Sequence, residues 1–116
     1  FVQTQYCFDH DTVKAYAEAL QQCRDFDDCT FLVGIGPLAS AKQADWMRKN
    51  LWGVNIPDEL IERLDKSTDP SAEGLLICEE LIEKMMEMPA ISGVHLMGPN
   101  CEKKSAEIIS RFVTRA

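Results

Sequence analysis

The chain is predicted to be an α/β fold of parallel strands joined by helices, on three observations. Short apolar runs alternate with longer stretches at helical spacing along all 116 residues. Glycine and proline close each run. The resulting order, β-α-β-α(αα)-β-α, is that of right-handed crossovers feeding a parallel sheet.

The first strand is expected near residues 1–8. Read with period two it puts Val2, Thr4, Tyr6 and Phe8 on one side and Gln3, Gln5 and Cys7 on the other. Val13, Tyr16, Ala17, Leu20 and Cys23 then recur at helical spacing, with Asp9 or Asp11 placed to cap an amphipathic helix of about four turns. The second strand, near residues 30–35, is an apolar run closed by Gly34-Ile35-Gly36-Pro37, which reads as a buried strand ending in a tight loop. Ser40 is placed to cap a helix running to about Asn50.

Gly53 breaks the chain, and Pro57 suits the first position of a short helix carrying Leu60, Ile61 and Leu64. Asp69-Pro70-Ser71 starts a longer helix, with Leu75, Cys78, Ile82 and Met85 on one stripe and Glu79, Glu80, Glu83 and Lys84 mostly solvated. Pro89 stops it. The third strand is expected near residues 92–97, through Val94-His95-Leu96-Met97, and Ile108, Ile109, Phe112 and Val113 mark the final helix. There are no internal repeats.

Composition excludes several classes. With 46% hydrophobic and 27% charged residues the chain has the makings of one ordinary domain with a modest core. Twelve basic against 19 acidic residues give a net charge of −7 without a basic stripe, so neither nucleic acid nor an anionic membrane surface is an expected partner. No stretch approaches the roughly 20 apolar residues of a membrane span, and no signal peptide is visible. Five cysteines, an odd number with no CxxC, and only two histidines point to neither a zinc site nor a disulfide framework. They read as reduced packing residues of a cytoplasmic protein. The chain opens without methionine and inside a strand, so residues 1–116 are expected to be one segment of something longer.

Three parallel strands with helices on one side leave the other sheet face without a partner. The C-terminal part of a TIM (β/α)8 barrel, lacking five strands, accounts for that better than a complete flat sheet. Periodicity is equally compatible with a small doubly wound fragment. In such barrels the chemistry sits where strands end and loops begin, here residues 5–9, 34–40 and 97–101. Gln5 stands out among them. An uncharged amide on the inner face of a buried strand is costly without a partner, so the fold or a ligand must satisfy it.

At these strand ends Thr4-Gln5-Tyr6-Cys7-Phe8-Asp9, Gly34-Ile35-Gly36-Pro37-Leu38 with Lys42-Gln43-Ala44, Gly53-Val54-Asn55-Ile56-Pro57, and Gly93-Val94-His95-Leu96 with Asn100 follow in order. Taken together they resemble the methylenetetrahydrofolate reductase family over essentially the whole chain. The match falls on the C-terminal two-fifths or so of that family's barrel, a typical barrel needing about 250 residues.

The resemblance implies an oxidoreductase that holds FAD. It moves a hydride from NADH or NADPH through the flavin to 5,10-methylenetetrahydrofolate, giving 5-methyltetrahydrofolate, a step of one-carbon metabolism and methionine biosynthesis. It implies substrate binding by Gln5, Gln43 and Asn100. Gln5 would hydrogen-bond the pterin, whose edge shows adjacent donors and acceptors that a neutral amide can match. Gln43 lies in the stretch where the family contacts nicotinamide and folate in alternation. No catalytic residue is carried over, because the family's general acid and most groups that hold the flavin belong to strands outside this chain. This segment alone is expected to be inactive, and its expected partners are the folate substrate, the remaining part of the barrel, and further copies in an oligomer.

The departures are equally plain. The family often has a ligand-stacking aromatic where Met47 stands, with Trp46 beside it. Its usual aromatic-Thr-Leu-Asn-Arg at the third strand end is replaced by Met97-Gly98-Pro99-Asn100-Cys101, which keeps only the asparagine and loses a cation. Gln3 reads as a lumen-filling amide, and His95 as a packed, hydrogen-bonded histidine rather than a catalytic one. The alternative function is a non-catalytic interaction or scaffold module related to the family.

Overall fold

The computed structural model describes residues 1–23 and 28–115. Its element order is β1 (Val2–Tyr6), α1 (His10–Gln21), β2 (Phe31–Ile35), α2 (Ala41–Asn50), α3 (Asp58–Lys66), α4 (Pro70–Met86), β3 (Gly93–Leu96) and α5 (Glu102–Arg115). The strands form one sheet in the order β1-β2-β3, both pairings parallel. This α/β arrangement is consistent with part of a TIM barrel.

Polar side chains set the helix starts. The Asp9 carboxylate accepts from the Asp11 backbone N–H at 3.2 Å and the Thr12 hydroxyl at 2.8 Å. Ser40 accepts from the Gln43 N–H at 3.1 Å, and Asp69 accepts from the Ala72 N–H at 3.2 Å, with Pro70 opening α4. Each such cap is worth about 1 kcal/mol, because it satisfies a backbone donor that the helix leaves unpaired. Pro57 sits just before α3 rather than at its first position. The first helix is shorter than expected, 12 residues, and its last turn closes by Gln22 N–H bonds to Ala19 and Leu20. Cys23 therefore lies beyond the helix and exposed instead of on its apolar stripe.

One face of the sheet is sealed. Phe31, Val33 and Ile35 of β2 are 2%, 0% and 0% exposed, and share a core with Val13 of α1, Met47 of α2, Leu64 of α3, Met85 of α4 and Ile108 of α5. Burying each large side chain contributes about 1.5–3 kcal/mol. Helix α4 is central to this layer, packing against α1, α3, α5 and β3. It also corrects the expected solvated stripe: Glu79 is buried, and its Oε1 lies 2.8 Å from the Arg111 guanidinium of α5. The neighbouring helix covers that side of α4 and supplies the countercharge. The opposite sheet face carries Gln3, Leu32 and Gly93 in register and has no helical layer among the described residues; Gln3 and Gln5 are exposed.

Candidate ligand site at the strand ends

Strand β1 breaks its alternation where the expected site begins. Gln3 pairs with Leu32 but Tyr6 with Gly34, so β1 carries one residue more than β2 between these two pairs. The extra residue is a β-bulge, a device that re-aims side chains beside functional sites. The Gly34 N–H donates to Thr4 Oγ1 at 2.9 Å, and the Gly34 carbonyl accepts from the Cys7 N–H at 2.8 Å, leaving the Tyr6 N–H outside the ladder. Gln5 Oε1 accepts that displaced N–H at 3.0 Å. The Thr4 hydroxyl donates to the Gln5 carbonyl at 2.8 Å, and the Cys7 thiol reaches the same oxygen at 3.2 Å. Burial pushes the Cys7 thiol up, partly offset by its contact with Thr4, so it stays a neutral donor at neutral pH.

Glycine makes the bulge possible. A Cβ on Gly34 would stand 2.6 Å from the Thr4 carbonyl oxygen and 2.9 Å from that of Gln5, closer than real contacts allow. At the rim, a Cβ on Gly36 would meet the Met97 carbonyl oxygen at 2.0 Å. The ends of all three strands converge here, since the Tyr6 ring lies 3.2 Å from that same position and its hydroxyl 3.4 Å from a Cβ placed on Gly98. Tyr6 also stacks on buried Phe8, with ring centroids 5.7 Å apart. Burial raises the Tyr6 phenol, and the nearby Cys101 adds to the shift, so it remains a protonated donor.

The sequence-predicted residues are brought to one end of the sheet in different conditions. Gln5 is exposed rather than buried, with its oxygen held by the fold and its amide nitrogen free of any partner among the described residues. Gln43 is a capping residue: its N–H bonds Ser40 and its Oε1 accepts from the Ala39 N–H at 2.6 Å, a variant of the capping box. Asn100 is exposed in the turn between β3 and α5, at a positive φ of 54°. No hydrogen bond joins any two of the three among the described residues. Cys101, in place of the arginine, is tied into its own turn by bonds to the Gly98 carbonyl at 3.0 Å and from Ser105 at 3.3 Å.

Other expectations are revised. Met47 is only 7% exposed and belongs to the core under α2, while Trp46 points away at 57% exposure, so neither faces the open side of the sheet. His95 lies beside Gly34 in register, half-exposed, and its ring has no hydrogen bond among the described residues. Asn55, from the third motif, reaches the Asp9 carboxylate at 3.0 Å and ties the loop before α3 to the start of α1. That long-range role has no local sequence signal.

A cleft of about 540 Å³ lies elsewhere, between the start of α1, α3 and α4. None of the three predicted residues lines it, and Arg63 in its wall is already held by Glu73 and Glu80. The strand ends are the better candidate because the β1 bulge and the motif residues Gln5 and Asn100 lie there.

Residues 7–9, 36–40 and 97–101 contain no lysine or arginine. No described helix is long and apolar enough to cross a membrane.

No curated protein matches the chain. The family model for Methylenetetrahydrofolate reductase matches residues 1–113. With four motifs in register along a parallel β-α order, and the match covering nearly its whole length, the chain belongs to the methylenetetrahydrofolate reductase family.

Proposed function

We propose that residues 1–116 form the substrate-facing, C-terminal β-α units of a flavin-dependent methylenetetrahydrofolate reductase barrel. The complete enzyme takes hydride from NADH or NADPH and delivers 5-methyltetrahydrofolate. FAD and the general acid are held by strands outside this chain, which alone is inactive. This chain's own part is to bind and orient: Gln5 contacts the folate pterin from the end of β1, with Gln43 in the first turn of α2 and Asn100 in the turn after β3. Among the described residues β1 and β3 each pair on one side only, so the remaining barrel is the natural partner, in a cytoplasmic oligomer.

The observation that carries this reading is Gln5 itself, exposed at a strand end in a family motif, with one polar atom held by the fold and the other presented. Such convergent polar groups at barrel strand ends mark sites.

The test uses the complete protein in a stopped-flow instrument, with flavin reduction by the nicotinamide and reoxidation by folate run separately. Gln5→Ala is expected to weaken the folate step by about 1–3 kcal/mol, the cost of an unpaired buried polar group on the ligand, and to leave flavin reduction unchanged. Loss of flavin reduction with an intact folate step assigns Gln5 the wrong task. A complete protein that reduces no folate supports the non-catalytic module instead.

A further inference from the structure

Thr4 has no role in the folate reading above, yet its hydroxyl is the atom on which the bulge turns. It stands in for a main-chain oxygen by accepting from the Gly34 N–H at 2.9 Å, and it donates to the Gln5 carbonyl at 2.8 Å. In a regular parallel ladder a carbonyl would take that N–H and the Tyr6 amide would pair with β2. Here the pairing passes to Cys7, and the freed Tyr6 N–H is covered only by Gln5 Oε1, at 3.0 Å. An N–H can be accepted by the amide oxygen alone, so the bond also fixes which way the Gln5 amide faces. Its NH2 is presented and its oxygen is not.

We propose that Thr4 is a positioning residue for ligand recognition. Through the bulge it orients Gln5 so that the amide nitrogen donates to an acceptor atom on the pteridine ring. This rests on the folate reading of Gln5 and goes beyond it in two ways: it assigns a residue that touches no ligand, and it sets the polarity of the contact. A glutamine on a regular strand would rotate freely about its side-chain bonds and offer donor or acceptor in turn. The one on this bulge has that choice removed before the ligand arrives, which lowers the ordering cost of binding. The energetic requirement falls on one hydroxyl, because a methyl group in its place leaves the Gly34 N–H without an acceptor.

The experiment uses the complete flavin-loaded protein and 5-methyltetrahydrofolate as the probe, binding measured by titration calorimetry. Backbone amide exchange at Tyr6 and Gly34 is followed on the same samples. Thr4→Val, matched in shape but without the hydroxyl, is expected to weaken binding by about tenfold or more and to speed exchange at both amides. The rate of flavin reduction by the nicotinamide is expected to stay as in the parent. Thr4→Ser restores the hydroxyl and is expected to recover binding to within about threefold.

Should Thr4→Val not fold, Thr4→Ser and Thr4→Ala differ by the same hydroxyl and are expected to show the same contrast. If Thr4→Val binds the folate as the parent does while Gln5→Ala does not, the positioning role is overturned and the folate reading stands. If Gln5→Ala also binds as the parent does, the folate reading itself fails. Equal losses in flavin reduction and folate binding would show a purely structural threonine and overturn the proposal too.

Discussion

The two faces of the sheet are built on different rules. Under the helices, Phe31, Val33 and Ile35 are sealed into a core shared by all five helices. On the other side Gln3, Leu32 and Gly93 lie in register without a covering layer among the described residues, and the strand ends above them carry Gln5, Met97 and Asn100. The first face is packed within the chain, whereas the second presents polar side chains, among them the Gln5 amide nitrogen, that have no partner among the described residues. Core packing is thereby assigned to one side of the three strands, and the recognition proposed for Gln5 to the other.

The strongest test of this division compares two residues of β2. Ile35→Ala removes a fully buried side chain and is expected to cost about 2–5 kcal/mol, whereas Leu32→Ala on the open face should cost under about 1 kcal/mol. Urea unfolding of the 116-residue chain gives both numbers, and equal costs would break the comparison. Gly36→Ala probes the rim between the faces. Its Cβ would collide with the Met97 carbonyl, and the backbone shift needed is expected to cost about 1–3 kcal/mol; an unchanged denaturation midpoint would mean that the rim is loose.

A pH experiment sharpens the sealed side. Burial, with the Glu79 charge adding to it, lifts the Cys78 thiol from 9.0 to about 12. The unfolded chain releases this proton first, so the folded state binds more protons between those values. The contribution of Cys78 is therefore fully present below pH 9 and is lost as pH rises towards about 12. Measured against Cys78→Val, the parent should show an extra decline in that window, and native Cys78 should be the slowest thiol to alkylate, exposed Cys23 the fastest. Coincident pH curves would count against the sealed core. The smallest effect is expected for Gln3→Ala on the open face, within about 0.5 kcal/mol in thermal melts.

The order of elements, the parallel sheet and the caps at Ser40 and Asp69 were legible in the sequence because each depends on neighbours within a turn or two. The bulge was not. It requires the carbonyls of Thr4 and Gln5 to lean over Gly34, a residue that a period-two reading of β1 never consults. Glu79 shows the same limit: on α4 alone it belongs to the solvated side, and only α5 covers it and delivers Arg111. Met47 was matched to a ligand-stacking position by family pattern, but the rotation of α2 against the core turns it inward. The capping part played by Gln43 was also open to sequence reading, since serine followed three residues later by glutamine is a capping signature in its own right.

Because each strand is laid beside its predecessor and runs in the same direction, the sheet can assemble in the order in which the chain is synthesised. The Thr4–Gly34 link spans 30 residues, whereas the bond from the Phe31 amide to Ser92 at the edge of β3 spans 61. At about 5–20 residues per second of translation, the second pairing waits several seconds after the first becomes possible. During that wait β2 has a vacant edge and its apolar side chains lack most of α4. A nascent chain paused at this stage is the form most exposed to mispairing with another copy, and the stretch between α2 and β3 is where a chaperone would have most to protect.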